Sequence, residues 1–322
     1  MARALMIRPP PLVVHCDWSA AAGKRWLAAA WLLPSGSYAV SAPEPVGDVC
    51  TLFPRLRARA PCGTILAGFD FPVGIPRAYA SAAGIQCFLD FLSRLGEGAW
   101  EHFYVPAAIA SQISLTRPFY PHAGGGTRQQ HLVDGLGLAR AADLLRLCER
   151  RTATRNQASS LFWTLGPQQV GKAAIHGWKN LLAPAVFQEG ARLWPFDGDL
   201  EGLCQGDGIV VAETYPAEVY RHLELERNFG KGRQAGRRSQ AKRILSWCAW
   251  NGIVLDSGVE AQVEQGFGGA ASGEDAFDAL IGVLGMVEAV GDAPRRAAPD
   301  DDSVRMVEGW ILGMDPVEVR RE

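Results

Sequence analysis

Acidic residues stand where strands should end. Asp17 closes the run Leu-Val-Val-His-Cys-Asp, Asp70 closes Thr-Ile-Leu-Ala-Gly-Phe-Asp, and Glu213 closes Gly-Ile-Val-Val-Ala-Glu. Asp275 and Asp278 lie three apart in Gly-Glu-Asp-Ala-Phe-Asp-Ala-Leu, a spacing that puts both on one helix face. An ionised carboxylate is costly to bury unless it is paired or metal-bound. Several of them brought together would make a site for a hard divalent cation, Mg2+ or Mn2+ rather than zinc. Two such ions, about 3.5–4 Å apart, can activate a water and stabilise a leaving oxygen in phosphodiester hydrolysis. Each acid also has an ordinary reading. Asp17 and Asp70 suit turns, Asp275 suits a helix N-terminus, and Glu213 could pair with a basic residue such as Arg221. The order of strand ends favours a shared acidic site.

A second constellation is basic. Between Arg221 and Arg243 there are eight Lys or Arg residues against only Glu224 and Glu226. Lys231, Arg233, Arg237 and Arg238 are the candidate phosphate contacts, because Gly230, Gly232 and Gly236 would let their loop approach a nucleic-acid backbone. Trp247 and Trp250 follow, and exposed aromatics can stack bases. The plainer alternative is a solvated loop beside core tryptophans. The Gly-Lys-Gly-Arg stretch lacks the spacing of a phosphate-binding P-loop. His15 alternates with Asp17 and shares its sheet face; it suits a buried core position or support behind the acids.

These residues need elements to position them. The runs 12–17, 26–33 and 38–40 read as three strands joined by two hairpins, with Pro34-Ser35-Gly36-Ser37 as the second turn. A short helix over 50–60 leads to a strand over 64–70. The stretch 77–205 reads as a largely helical insertion, with helices expected near 81–95, 136–150, 170–182 and 183–193. A strand over 209–213 follows, then helices over 217–225, 239–251 and 273–290, a mobile linker over 291–303 and a closing element over 307–312. The expected fold class is α/β: a mixed sheet of antiparallel hairpin strands and parallel strands, flanked by helices. Its core would be discontinuous, from 1–76 and 206–322. In such sheets ligands gather outside the carboxyl ends of the strands, which is where Asp17 and Asp70 would lie.

The bulk numbers narrow the class. A 322-residue chain that is 48% hydrophobic can bury one large core or two modest ones. A formal net charge of −2 gives no global pull toward nucleic acid or membrane, so any basic surface must be local. The seven cysteines are scattered, with no Cys-x-x-Cys pair, which suggests reduced thiols and a cytoplasmic protein. No apolar run reaches the roughly 18 residues that span a bilayer.

Four blocks occur in order: Cys-Asp-Trp-Ser, Gly-Phe-Asp-Phe-Pro-Val-Gly-Ile-Pro, Glu-Thr-Tyr-Pro-Ala-Glu and Glu-Asp-Ala-Phe-Asp-Ala-Leu. This set resembles an uncharacterised bacterial and archaeal family of predicted nucleases with the RNase H-like fold. The arrangement is also similar to RuvC-type junction resolvases. That resemblance implies Asp17, Asp70, Asp275 and Asp278 as metal ligands, with DNA or RNA as substrate. Asp70 stands where such resolvases carry Glu, a shorter reach, and Glu213 has no counterpart there. By this reading Asp17, Asp70 and Asp278 hold the metal, and Asp275 and Glu213 act as a ligand or a water-positioning base. Two alternatives stay open: a nucleotide-binding phosphotransferase or ATPase of the related actin-like superfamily, and a non-catalytic binding module. Against the first, Asp17-Trp18-Ser19 lacks the Gly-Thr phosphate loop usual after that first Asp.

Overall fold

The computed structural model describes residues 7–152, 156–166 and 169–316. The chain divides into two compact units. The first comprises Met1–Asp70, Gly190–Ala297 and Ile311–Met314; the second comprises Phe71–Glu189, Ala298–Trp310 and Asp315–Glu322.

The first unit is α/β. Its mixed sheet is built from β1 (Leu12–Asp17), β2 (Trp26–Leu32), β3 (Tyr38–Val40), β4 (Glu44–Pro45), β5 (Thr64–Phe69), β6 (Arg192–Leu193), β7 (Gly208–Glu213) and β8 (Val254–Leu255). The spatial order is β6-β7-β5-β1-β2-β3-β8, with β4 also paired to β2. Short turns make β1, β2 and β3 antiparallel neighbours. Crossovers make β5 parallel to β1, β7 parallel to β5 and β6 parallel to β7. β1 and β5 are buried on both faces, which is why their sequences are near-continuous apolar runs.

The helix Ser272–Gly291 covers one face of this sheet. Glycines set its distance: a Cβ on Gly282 would lie 2.2 Å from the His15 ring, and one on Gly68 would lie 2.4 Å from Met286 Sδ. Only bare backbone fits at these two crossings. The helix Leu52–Arg59 serves the other face, where Phe53 meets Phe69 edge-on at 6.2 Å. Pro216 opens the helix Pro216–His222 at its first turn, where the missing N–H is not needed.

Several expected helices are shorter. The stretch 81–95 is split into Arg77–Ala82 and Phe88–Leu92 by Gly84, whose φ is +68°. The stretch 136–150 holds 3-10 turns, Ala141–Leu144 and Leu147–Glu149, instead of one helix. The helix from Ala183 stops at Phe187, and after Gly190 the chain becomes edge strand β6 of the first unit.

The second unit packs around aromatic rings. Phe103 meets Phe91, Phe119 and Trp178 at centroid distances of 5.2, 5.4 and 6.0 Å. It also buries charge. Glu308 is fully buried and receives Arg77 Nη2 at 2.6 Å and the amides of Arg77 and Leu147. Arg146 pairs with Glu149 at 2.9 Å and donates to the Glu308 carbonyl at 3.1 Å. Within the stretch expected to be a mobile linker, Asp301 pairs with Arg77 at 3.2 Å and accepts the amides of Ser303 and Val304.

None of the seven cysteines forms a disulfide. Among the described residues, no helix is long and apolar enough to cross a membrane.

Candidate active site

The register of the sheet sets two acids side by side. β1 and β5 pair from Leu12 with Ile65 through Cys16 with Phe69, and the Asp70 amide continues the ladder to the Cys16 carbonyl at 3.1 Å. Asp17 and Asp70 therefore end adjacent parallel strands at one edge. Alternation puts them on the face that carries His15 and Gly68, under the helix Ser272–Gly291.

The same packing brings in the helix acids. Gly282 sits on His15, and Asp278 lies four residues before it. Four helical residues rise about 6 Å, and two strand residues from His15 to Asp17 advance about 6.6 Å. The two spacings match, so Asp278 arrives over the strand ends. Its Oδ2 accepts Lys231 Nζ at 2.6 Å, and its Oδ1 accepts the Tyr220 hydroxyl. Lys231 also reaches Glu274 Oε1 at 3.4 Å.

The electrostatics are those of a crowded buried cluster. Burial, then repulsion from Asp70, Asp278 and Asp275, pushes the Asp17 carboxyl up to about 9, with Lys231 pulling against it. Burial and repulsion from Asp278 push Asp70 up to about 7, again opposed by Lys231. Both carboxyls therefore keep their protons to higher pH than an exposed aspartate does. Asp275 is raised by burial, and Lys24 draws it back. Asp278 is raised by burial, against the pull of Lys231 and Tyr220. Burial works against the Lys231 ammonium, but its acidic neighbours outweigh it and keep it charged. The His15 ring is fully buried, and burial lowers its pKa to about 3, so it is a neutral core residue.

Glu213 stands apart. It pairs in register with Phe69, not with Asp70, so its side chain leaves the sheet on the opposite face. It is buried and adds to the repulsion on Asp70. Its carbonyl accepts the Leu312 amide at 2.9 Å.

The basic loop divides into three roles. Lys231 belongs to the acid cluster. Arg237 is buried and donates to the carbonyls of Lys231, Gly268 and Gly266 at 2.6, 2.8 and 3.0 Å, which fixes the loop. Arg233 and Arg238 are exposed. Trp247 is half-buried, and Trp250 is 90% exposed.

Three participants escaped the sequence reading. Tyr220 lies one helical turn after Pro216, but nothing in its spacing points to Asp278. Thr214 follows Glu213, is buried, and its Oγ1 has no hydrogen-bond partner among the described residues. Arg25 covers the Trp18 ring at 5.2 Å and donates to the carbonyls of Ser19 and Ala20 at 2.6 and 2.7 Å, so it holds the turn after Asp17.

Among the described residues, no group of three or more His, Cys, Asp or Glu side chains is arranged to hold a metal ion. No protein-family model matches the chain, and neither a curated protein nor a solved structure matches it.

Proposed function

We propose that the protein is a divalent-metal-dependent phosphodiesterase of the RNase H-like fold that acts on DNA or RNA, with Mg2+ or Mn2+ as cofactor. The observation that carries this reading is the placement of Asp17 and Asp70 at the carboxyl ends of adjacent parallel strands, both lifted by burial and neighbouring charge. That edge is where open α/β sheets bind ligands. The fold assignment is supported by three antiparallel strands followed by the parallel strands β5, β6 and β7, with the helix Ser272–Gly291 packed across the sheet.

The donor set fits a hard cation. Mg2+ takes one or two carboxylates and keeps several waters, which suits a pair of acids better than a closed cage. Asp17 and Asp70 would hold it, and Asp278 and Asp275 would keep the wall acidic. A bound Mg2+ or Mn2+ supplies a more acidic water and polarises a phosphoryl oxygen. Arg233 and Arg238 would neutralise backbone phosphates.

The test is cleavage of single- and double-stranded DNA and RNA with either metal, alongside thermal shift. Metal-dependent cleavage lost in Asp17→Asn, with no loss of melting temperature, supports the reading. The absence of both cleavage and a metal-dependent shift overturns it. Metal binding without cleavage leaves a non-catalytic binding module.

A further inference from the structure

We propose that the acid cluster takes a single divalent cation, on Asp17 and Asp70, and that the Lys231 ammonium supplies the second positive charge at Asp278. This deepens the metal-dependent reading above and rests on it. Lys231 Nζ is 2.6 Å from Asp278 Oδ2, and the Tyr220 hydroxyl takes the other carboxylate oxygen. Asp278 is thus already neutralised and hydrogen-bonded. Among the described residues, the Asp17 and Asp70 carboxylates make no ion pair or hydrogen bond, and the Lys231 charge reaches them only at longer range.

A buried neutral oxygen accompanies them. Thr214 is 4% exposed, and its amide donates to the Phe69 carbonyl at 3.0 Å, which sets it beside Asp70. Among the described residues, its Oγ1 has no hydrogen-bond partner. Two carboxylates, this hydroxyl and water make a donor set for one hard cation.

Lys231 already gives Asp278 its counter-charge, while Asp275 and Glu274 add further negative charge around the cluster. Another divalent ion at Asp278 would sit against an ammonium 2.6 Å from that carboxylate, and like charges repel.

Lys231 is held in place from behind. Arg237 grips its carbonyl at 2.6 Å and ties it to the carbonyls of Gly266 and Gly268. Gly273, at the start of the long helix, leaves room for that guanidinium: a Cβ there would lie 2.6 Å from Arg237 Nη2. The buried arginine thus acts as a positioning residue for the ammonium.

Counting bound Mn2+ per chain, by the resonance signal of free Mn2+ during titration, tests this. The wild-type protein should bind one Mn2+ at the cluster, and Lys231→Met should bind two, because Asp278 is freed. The charge-neutral double variant Lys231→Met with Asp278→Asn should return to one ion, with affinity within about threefold of wild type, since the pair it removes holds no metal. Two ions in the wild type, one ion in Lys231→Met, or an affinity loss of about tenfold or more in the double variant overturns the inference. If Lys231→Met does not fold, the wild-type count and the double variant decide. No binding by the wild type, or binding unaffected by Asp17→Asn, overturns the underlying metal reading instead.

Discussion

The amide of Asp70 donates to the carbonyl of Cys16 across 3.1 Å. This bond extends the β1–β5 ladder by one step and holds Asp17 and Asp70 level at the sheet edge. Two carboxyl groups fixed in this way share one desolvated field, and the energetic consequence is measurable without any assay of function.

Stability without metal should fall as pH rises. The folded-state pKa of Asp17 is pushed up to about 9 and that of Asp70 to about 7, mainly by burial. Their unfolded values lie near 3.9. Between those limits the folded state binds more protons, so the stabilising contribution is complete below about pH 4 and is lost as pH climbs through about 7 and then about 9. In chelator, the melting temperature should drop between pH 5 and pH 9. Asp17→Asn should flatten that slope, because an amide does not titrate. A melting temperature that rises across this window in chelator, or a slope unchanged in Asp17→Asn, contradicts the burial argument.

Gly282→Ala should loosen the lid over the same edge. The new methyl would start 2.2 Å from the His15 ring, which is fully buried. Overpacking of this kind costs about 1–3 kcal/mol, and each kcal/mol lowers the melting temperature by roughly 2–4 °C in a domain of this size. His15→Ala in the same chain should recover part of the loss, since the two residues touch each other directly. A double variant no more stable than additivity predicts would mean that the helix tolerates the methyl by shifting elsewhere.

Glu308→Ala should destabilise the second unit sharply. It removes the acceptor that satisfies Arg77 Nη2 and the amides of Arg77 and Leu147 in a fully buried position. Breaking a buried pair from one side costs about 3–5 kcal/mol. Denaturant unfolding of Glu308→Ala beside Asp301→Ala separates burial from exposure, because Arg77 pairs with both acids and only Asp301 is partly exposed. The Asp301 variant should lose distinctly less.

What was legible in the sequence follows from range. Strand ends were readable because each acid closes its own apolar run, and alternation placed His15 on the Asp17 face without tertiary information. The helix carrying Asp275 and Asp278 showed a regular apolar period. The Lys231–Asp278 pair was not readable: the partners are 47 residues apart, and the loop's glycines and arginines look the same whether it is solvated or docked. The face taken by Glu213 was not readable either. Glu213 ends a strand as Asp17 does, but the β5–β7 register is one residue out of step with the acids, and one residue reverses the face. The short helices of the second unit failed on glycines such as Gly84, where positive φ stops a helix that composition would continue.

The three arginines of the basic loop should behave differently. Arg237 is buried and spends its donors on three carbonyls, and burial pulls its pKa down. Arg237→Met should unfasten the loop and leave the carbonyls of Lys231, Gly266 and Gly268 without this donor, at about 1–3 kcal/mol for the buried one at Gly266 and less for the other two. Arg233 and Arg238 are exposed, so alanine at either should change stability by no more than about 0.5 kcal/mol. Their effect should appear in nucleic-acid binding instead. Removing an arginine that neutralises one phosphate lowers the slope of log affinity against log salt by about 1, whatever the base sequence. Binding to a short oligonucleotide at several salt concentrations reads that slope directly. If Arg233→Ala and Arg238→Ala leave both affinity and slope untouched, the loop serves only to hold Lys231, and phosphate recognition lies on another surface.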